Sequence, residues 1–290
     1  MNEINLKALA KINLGLDVTG IREDGYHEVS MIMQTINLYD RITVKIAKAD
    51  GIFIETNVKY IPVGPKNLCY KAAQLLMEEF NITQGVKIKI DKHIPVAAGM
   101  AGGSTDAAAV LYAINKLFDL GLNKKQLMER GVKIGADVPY CLMRGTALAE
   151  GIGEKLSPIH PMMKCFVLIA KPPVDVSTKQ VYTDLDAKFD KVKHPDIPAL
   201  IKDIESQDLK SLCLHMGNVL EEVTIPLHPE IARIKNIMME NGAAGSMMSG
   251  SGPTVFGLFE SETTAYDAKA KLTESGLCRN IYVTTVFNNK

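Results

Sequence analysis

Residues 95–106 read Pro-Val-Ala-Ala-Gly-Met-Ala-Gly-Gly-Ser-Thr-Asp. The alternation Val86-Lys87-Ile88-Lys89-Ile90 ahead of them predicts a half-buried strand, and the Ala- and Leu-rich run from Ala107 to Phe118 predicts a helix. Gly99, Gly102 and Gly103 allow close backbone approach, and Ser104, Thr105 and Asp106 suit an N-cap or first helical turn. A glycine-rich loop feeding a helix start offers free N–H groups and the positive end of the helix dipole, which is an anion site. The same pattern also fits a capped turn that holds nothing. No lysine stands between Gly103 and Ser104, so the loop lacks the Gly-Lys-Ser/Thr of the Walker pattern, and the dinucleotide pattern Gly-x-Gly-x-x-Gly is missing too. A cation to balance a bound phosphate must come from elsewhere in the chain.

Four shorter stretches could supply the remaining chemistry. In the apolar run from Leu9 to Leu16, Lys11 and Asn13 share strand parity and therefore one face. Asp24-Gly25 is a strong turn signal, followed directly by Tyr26 and His27, an aromatic ring and an imidazole suited to a flat heterocycle. Gly135-Ala136-Asp137-Val138-Pro139 closes a helix expected from an Asn123 cap through Ile134. Pro139 should forbid helical continuation, leaving Asp137 in a tight, partly buried turn. Ser249-Gly250-Ser251-Gly252-Pro253 is a second glycine-rich turn. Each has a plain structural alternative: a solvated lysine, a surface tyrosine, a turn aspartate bonding its own backbone.

The totals restrict the partners. The formal net charge is zero, so no global field draws the chain to nucleic acid or an anionic membrane, and no basic stripe is interleaved with aromatics. Five scattered cysteines with no Cys-x-x-Cys pair predict buried thiols in a reduced, cytoplasmic protein. No apolar run approaches the ~18 residues of a membrane span. Glu3, Lys7 and Lys11 interrupt the first apolar stretch, so no signal-peptide core is expected. No cluster of metal ligands is visible. The zero net charge leaves self-association open.

The elements that must position these residues follow from periodicity. Residues 4–20 read as a strand or strand pair, with further strands at 29–36, 42–46, 52–55, 86–90 and 141–149. Pro65-Lys66-Asn67-Leu68 predicts a helix start, with amphipathic spacing from Leu68 to Phe80. A soft boundary falls near residue 157, dividing the chain into residues 1–156 and 157–290. The second part predicts a strand over 165–170, a short helix over 178–184 carrying Tyr182, and a charged loop over 186–198. Helices over 198–205, 208–222 and 228–241 follow, then a strand over 254–259, a helix over 262–275 and a strand over 281–287. This order suggests an α+β sandwich with an antiparallel sheet covered on one face.

Taken together, Lys11-x-Asn13, Asp24-Gly25-Tyr26-His27, the loop at 95–106, Gly135-Ala136-Asp137-Val138-Pro139 and Ser249-Gly250-Ser251-Gly252-Pro253 resemble the GHMP kinase superfamily over essentially the whole length. The first two stretches resemble the branch that acts on 4-diphosphocytidyl-2-C-methyl-D-erythritol in the non-mevalonate isoprenoid route. The resemblance implies a ribosomal-protein-S5-domain-2-like first domain carrying ATP, a ferredoxin-like second domain on the substrate side, and an active site in the cleft between them. It implies that ATP phosphates lie on Pro95, Val96, Ala97, Ala98, Gly99, Met100, Ala101, Gly102, Gly103, Ser104, Thr105 and Asp106, with adenine near Asn67, Leu68 and Lys92. It implies a cytosine stacked on Tyr26, hydrogen-bonded by His27 and faced by Tyr182, with Asn13 also on the substrate side. Asp137 matches the superfamily's catalytic base and Lys11 its partner lysine. One departure is visible: the superfamily loop commonly reads Gly-Leu-Gly-Gly-Gly-Ser-Ser, and Ala101 replaces one of its glycines. If that position has positive φ, the alanine is strained.

The chemistry fits these roles. Phosphoryl transfer needs positioning and charge neutralisation more than covalent catalysis. Asp137 can accept the proton of a substrate alcohol. Lys11 can supply the cation that the loop lacks, favouring the ionised base and the alkoxide. Mg²⁺ is expected with ATP, held mainly by phosphates and water with Ser104 or Thr105 nearby. The expected reaction is ATP-dependent phosphorylation of the 2-hydroxyl of the cytidyl diphosphate sugar alcohol. Two alternatives stand beside it: a homoserine- or mevalonate-type alcohol kinase, and a non-catalytic nucleotide-binding regulator on the same scaffold.

Overall fold

The computed structural model describes residues 2–289. The chain forms two compact units that interleave along the sequence. The first comprises residues up to Ala10, Leu38–Val96 and Ala101–Met143; the second comprises Lys11–Asn37, Ala97–Met100 and everything from Arg144 onward. Two long strands, β1 (Glu3–Ile21) and β2 (His27–Ile46), contribute residues to each. The run from residue 4 to 20 is thus a single strand.

In the first unit, β3 (Ile52–Thr56) is joined by α1 (Leu68–Glu79) to β4 (Val86–Asp91), the helical crossover that parallel strands require. β4 pairs antiparallel with β2, Arg41 opposite Asp91 and Ile46 opposite Val86. Val86, Ile88 and Ile90 are buried, while Lys87 and Lys89 take the opposite parity. α2 (Gly102–Leu117) packs on α1, and α3 (Lys124–Gly131) and α4 (Val138–Met143) pack on each other. Asn123 caps α3 through a capping box with Gln126. Three expectations change here. α2 begins at Gly102, ahead of Ser104, and its N-cap is Ala101, which has no capping side chain. Pro139 starts a helix instead of stopping one: it lies in the first turn of α4, where a missing N–H costs nothing. Residues 141–143 consequently end that helix, and the strand expected over 141–149 is confined to β5 (Thr146–Gly151) of the second unit.

In the second unit, β5 pairs antiparallel with β2, Val29 opposite Gly151, and β6 (Lys155–Pro158) pairs with β5. Beyond them lie β7 (Phe166–Lys171), α5 (Thr178–Asp186), α6 (Ile197–Ser206), α7 (Leu209–His215), β8 (Gly217–Asn218), α8 (Glu221–Leu227), α9 (Glu230–Glu240), β9 (Gly245–Met248), β10 (Val255–Phe259), α10 (Glu262–Ser275) and β11 (Asn280–Thr285). The helix expected over 208–222 is therefore interrupted by β8, which pairs parallel with β1 at Gly15 and Leu16. The antiparallel order β11-β7-β10-β9 forms a four-stranded sheet with α9 and α10 packed on it. Val167 to Ala170 and Val255 to Phe259 are buried throughout or nearly so, which is why these strands read as unbroken apolar runs.

Candidate active site

In the first unit, the segment between β4 and the glycine loop is pinned by one buried carboxylate. Asp40, fully buried on β2, accepts from the His93 N–H at 2.6 Å and the Ile94 N–H at 2.8 Å. Its second oxygen meets the Lys92 ammonium, which also bonds Asp106 Oδ2 at 2.8 Å. Lys92 and Asp106 lie on either side of residues 95–101, so this cluster joins both ends of the loop within one unit. One lysine faces two carboxylates in a dry site. Burial pushes the Asp106 carboxyl up to about 8, against the opposing pull of Lys92. The Lys92 ammonium is disfavoured by burial, but the two carboxylates outweigh this and raise its pKa. Asp106 Oδ1 has no hydrogen-bond partner among the described residues.

Asn67 spends its side chain on structure: Oδ1 accepts from the Cys69 N–H at 2.8 Å to cap α1, and Nδ2 donates to the Pro62 carbonyl at 2.7 Å. Leu68 is half-buried in the first turn. Ala101, the N-cap of α2, makes no side-chain hydrogen bond to the first turn, the type of helix start at which N–H groups can meet an anion. Thr105 is buried and Ser104 half-buried there. Asp137 directly precedes α4; its carbonyl accepts the Cys141 N–H at 3.0 Å, while its half-buried carboxylate has no partner among the described residues of its own unit. Ala101 has φ 55°, the left-handed conformation that strains an alanine.

In the second unit, Lys11 and Asn13 meet as their parity requires, Nζ donating to Oδ1 at 2.7 Å. Both are buried, and Asn13 is completed by a 3.4 Å contact from Nδ2 to the Met31 sulfur. Among the described residues of its unit Lys11 has no carboxylate partner. Its N–H donates to the Met100 carbonyl at 3.2 Å. That loop residue is next to Gly99, where a side chain is impossible: a Cβ would lie 2.1 Å from the Ser249 carbonyl oxygen. Ser249 Oγ donates to the Gly99 carbonyl at 3.0 Å. The second glycine-rich turn thus backs this part of the first loop. Asn218 holds that turn, donating from Nδ2 to the carbonyls of Met248 and Gly250 at 2.9 and 2.8 Å. Ala97 and Ala98 complete the stretch, Ala97 with φ 50°.

The turn after β1 builds itself. Asp24 Oδ1 accepts the Tyr26 N–H at 3.1 Å, the Arg22 N–H donates to the Tyr26 carbonyl at 2.7 Å, and Gly25 takes φ 80°. The Arg22 guanidinium braces it on Asp24 and Glu28, and Arg22 holds the Asp24 carboxyl below its ordinary value. The outcome is a Tyr26 ring that is 60% exposed. His27 is directed to α5, its Nε2 lying 2.6 Å from Asp186 Oδ1. Its ring centroid is 4.8 Å from that of Tyr182, tilted by 46°. The structure therefore brings together Lys11 with Asn13, His27 with Tyr182, and Lys92 with Asp106.

Asp40, Asp186 and Asn218 were not singled out by sequence patterning. Asp40 had a signal: it shares the buried parity of Leu38, Ile42 and Val44, an acid on an apolar face. Asp186 and Asn218 had none, since their partners lie far away in sequence. Among the described residues no group of three His, Cys, Asp or Glu side chains could hold a metal ion, and no helix is long and apolar enough to cross a membrane.

Residues 67–145 match the model for GHMP kinases N terminal domain, and residues 200–277 match that for GHMP kinases C terminal. A 4-diphosphocytidyl-2-C-methyl-D-erythritol kinase from Lachnospira eligens is 53% identical over 287 residues, covering 99% of both chains. One from Clostridium perfringens is 49% identical over 287 residues, again covering 99% of both. A crystal structure of 4-(cytidine 5'-diphospho)-2C-methyl-D-erythritol kinase superposes with a TM-score of 0.84 at 32% identity, over 99% of this chain and 100% of that one. Homoserine kinase from Cytophaga hutchinsonii shares the fold, with a TM-score of 0.78 at 22% identity over 99% of this chain and 95% of that one. The chain belongs to the GHMP kinase family, with that family's two-domain α+β fold.

Proposed function

We propose that this kinase transfers the γ-phosphoryl group of ATP to the 2-hydroxyl of 4-diphosphocytidyl-2-C-methyl-D-erythritol, giving the 2-phosphate and ADP. The observation that carries the reading is end-to-end similarity, at about half identity, to relatives named for that substrate. The exposed Tyr26 ring and the His27–Tyr182 pair supply what a kinase of homoserine or mevalonate does not need, a place for a nucleobase. We assign the ATP-binding motifs to residues 1–156 and the substrate side of the second domain to 157–290.

The substrate oxygen attacks the γ-phosphorus, a P–O bond forms, and the bond to the β-phosphate oxygen breaks. The hydroxyl proton passes to Asp137, whose carboxylate is unspent among the described residues of its unit. Lys11, buried and without a carboxylate partner among the described residues of its unit, supplies positive charge to the developing alkoxide and the transferring group. Phosphates rest on residues 95–106, where the uncapped start of α2 offers N–H groups. Asn67, Leu68 and Lys92 wall the adenine, with Asn67 and Lys92 fixed by their own bonds. The chain has no carboxylate cage for a divalent cation among its described residues, so Mg²⁺ would enter with ATP beside the Ser104 and Thr105 hydroxyls and neutralise phosphate charge.

The test is ADP release with Mg²⁺-ATP and the cytidyl alcohol, mevalonate, homoserine or no acceptor. Turnover confined to the cytidyl alcohol is expected. Turnover with another alcohol would overturn the substrate assignment, and ATP binding without turnover would identify a regulator.

A further inference from the structure

Asp186 ends α5, where the helix dipole disfavours an anion. The side chain is 37% exposed and could turn to water, yet it meets a His27 ring that is only 11% exposed. The contact at 2.6 Å joins residues 159 positions apart. An ionised carboxylate only accepts hydrogen bonds, so Nε2 of His27 must carry the proton. In the neutral imidazole this leaves Nδ1 as an acceptor. The Tyr182 ring lies against the imidazole, and Asp186 prevents the imidazole from turning over and exchanging its two nitrogens.

The two faces of pyrimidine recognition separate on this point. A 4-aminopyrimidine presents an N–H donor where a 4-oxopyrimidine presents an acceptor. An oriented Nδ1 acceptor pairs with the first and meets the second lone pair to lone pair. We propose that Asp186 is a positioning residue that sets amino-pyrimidine specificity by fixing which nitrogen of His27 faces the base. This rests on the reading of Tyr26, His27 and Tyr182 as the base-binding group.

The experiment measures kcat and KM for the cytidyl alcohol and for its uridyl counterpart, using the full chain and the variants Asp186→Ala, Asp186→Glu, His27→Ala and Asp184→Asn. Asp184 is a carboxylate of the same helix engaged with Gln180, and its variant serves as the control. Asp186→Ala is expected to raise KM for the cytidyl alcohol roughly tenfold, about one hydrogen bond's worth, with kcat little changed. The preference over the uridyl compound should fall by a similar factor. Asp186→Glu should recover part of both, and Asp184→Asn should change neither. Long-range ¹H–¹⁵N spectra of the imidazole should show a protected His27 Nε2–H in the parent that is lost in Asp186→Ala. If His27→Ala raises KM while Asp186→Ala leaves both KM and base preference unchanged, the role of Asp186 is wrong and the base-binding reading survives. If His27→Ala also leaves them unchanged, the base-binding reading falls and takes this inference with it.

Discussion

The anchor of the glycine loop and the turn that presents Tyr26 use the same side-chain chemistry under opposite conditions. Asp40, Lys92 and Asp106 are each almost entirely removed from solvent. Arg22, Asp24 and Glu28 form a comparable acid–base–acid group on the surface. In the anchor each charge has lost its hydration, so it must be answered by another charge, by backbone N–H groups or by a proton. In the turn, water can replace any partner that is lost. The anchor can therefore hold a backbone rigidly, and it fails badly when one member is removed. The turn shapes its loop locally and depends little on its ion pairs.

Asp137 sharpens the contrast most, because it is a carboxylate that neither arrangement uses up. Asp137→Ala should lower kcat by about 10²- to 10⁴-fold, the usual value of a positioned base. Its urea midpoint should stay at or above that of the parent, since the carboxylate bonds none of the described residues of its unit. Lys11→Ala should be nearly as damaging, and the double variant no worse than Asp137→Ala alone. A large kcat loss accompanied by an equal fall in stability would assign Asp137 to the fold instead.

Lys92→Met breaks the anchor and leaves two buried carboxylates facing each other. Removing one partner of a buried pair costs about 3–5 kcal/mol, and urea denaturation should show a loss of this order. Arg22→Ala, the matching deletion in the turn, should leave the midpoint within error and appear only as a raised KM for the cytidyl alcohol. Equal losses of stability from the two would mean that burial does not distinguish them.

How legible these regions were follows the range of their interactions. Lys11 and Asn13 are two residues apart, and strand parity alone put them on one face. Asn123 carried its cap signal within three residues. The loop reads in the sequence as a glycine-rich helix start, but the helix begins at Gly102, earlier than Ser104 suggests. Ser104, Thr105 and Asp106 are good capping types, whereas the actual N-cap is an alanine held in a left-handed conformation by its surroundings. Pro139 misled for a related reason: a proline marks a first turn as readily as a stop, and only the packing of α4 on α2 and α3 decides between them. Asp40 and Asp186 act on residues 53 and 159 positions away, so no local pattern could reveal their partners.

The two regions should also respond to pH with opposite signs. Asp106 has its folded-state pKa raised to about 8 from an ordinary 3.8, chiefly by burial. Between those values the folded chain holds a proton that the unfolded chain has lost, so stability falls as pH rises through the window. Asp24 has its pKa lowered, first by its bond from Arg22. Its contribution is present above 3.8 and is lost as pH falls through the depressed folded value. Asp106→Asn should flatten the decline in stability from about pH 5 to 8, measured by urea midpoints at each pH. Asp24→Asn should leave that window unchanged and alter only the acid limb. A decline that persists in Asp106→Asn would mean that Asp106 is not its source.

The smallest contrast concerns backbone alone. Ala101 at φ 55° and Gly25 at φ 80° occupy the same half of conformational space, one with a side chain and one without. An L-residue there costs about 1–2 kcal/mol relative to ordinary helical geometry, and glycine avoids most of that at the expense of a more flexible unfolded chain. Ala101→Gly should therefore raise stability by roughly 0.5–1 kcal/mol. Gly25→Ala should lower it by a similar amount, since a Cβ at Gly25 meets no atom within 4 Å and only conformational strain opposes it. The functional readouts should separate where the stabilities mirror one another. On the proposed assignment of phosphates to residues 95–106, Ala101→Gly should change KM for ATP alone; on the proposed assignment of the base to Tyr26, Gly25→Ala should change KM for the cytidyl alcohol alone. If Ala101→Gly lowers stability, the alanine is supported at that position by contacts worth more than its strain, and the loop departs from the usual glycine pattern because its neighbours have been built around the methyl group.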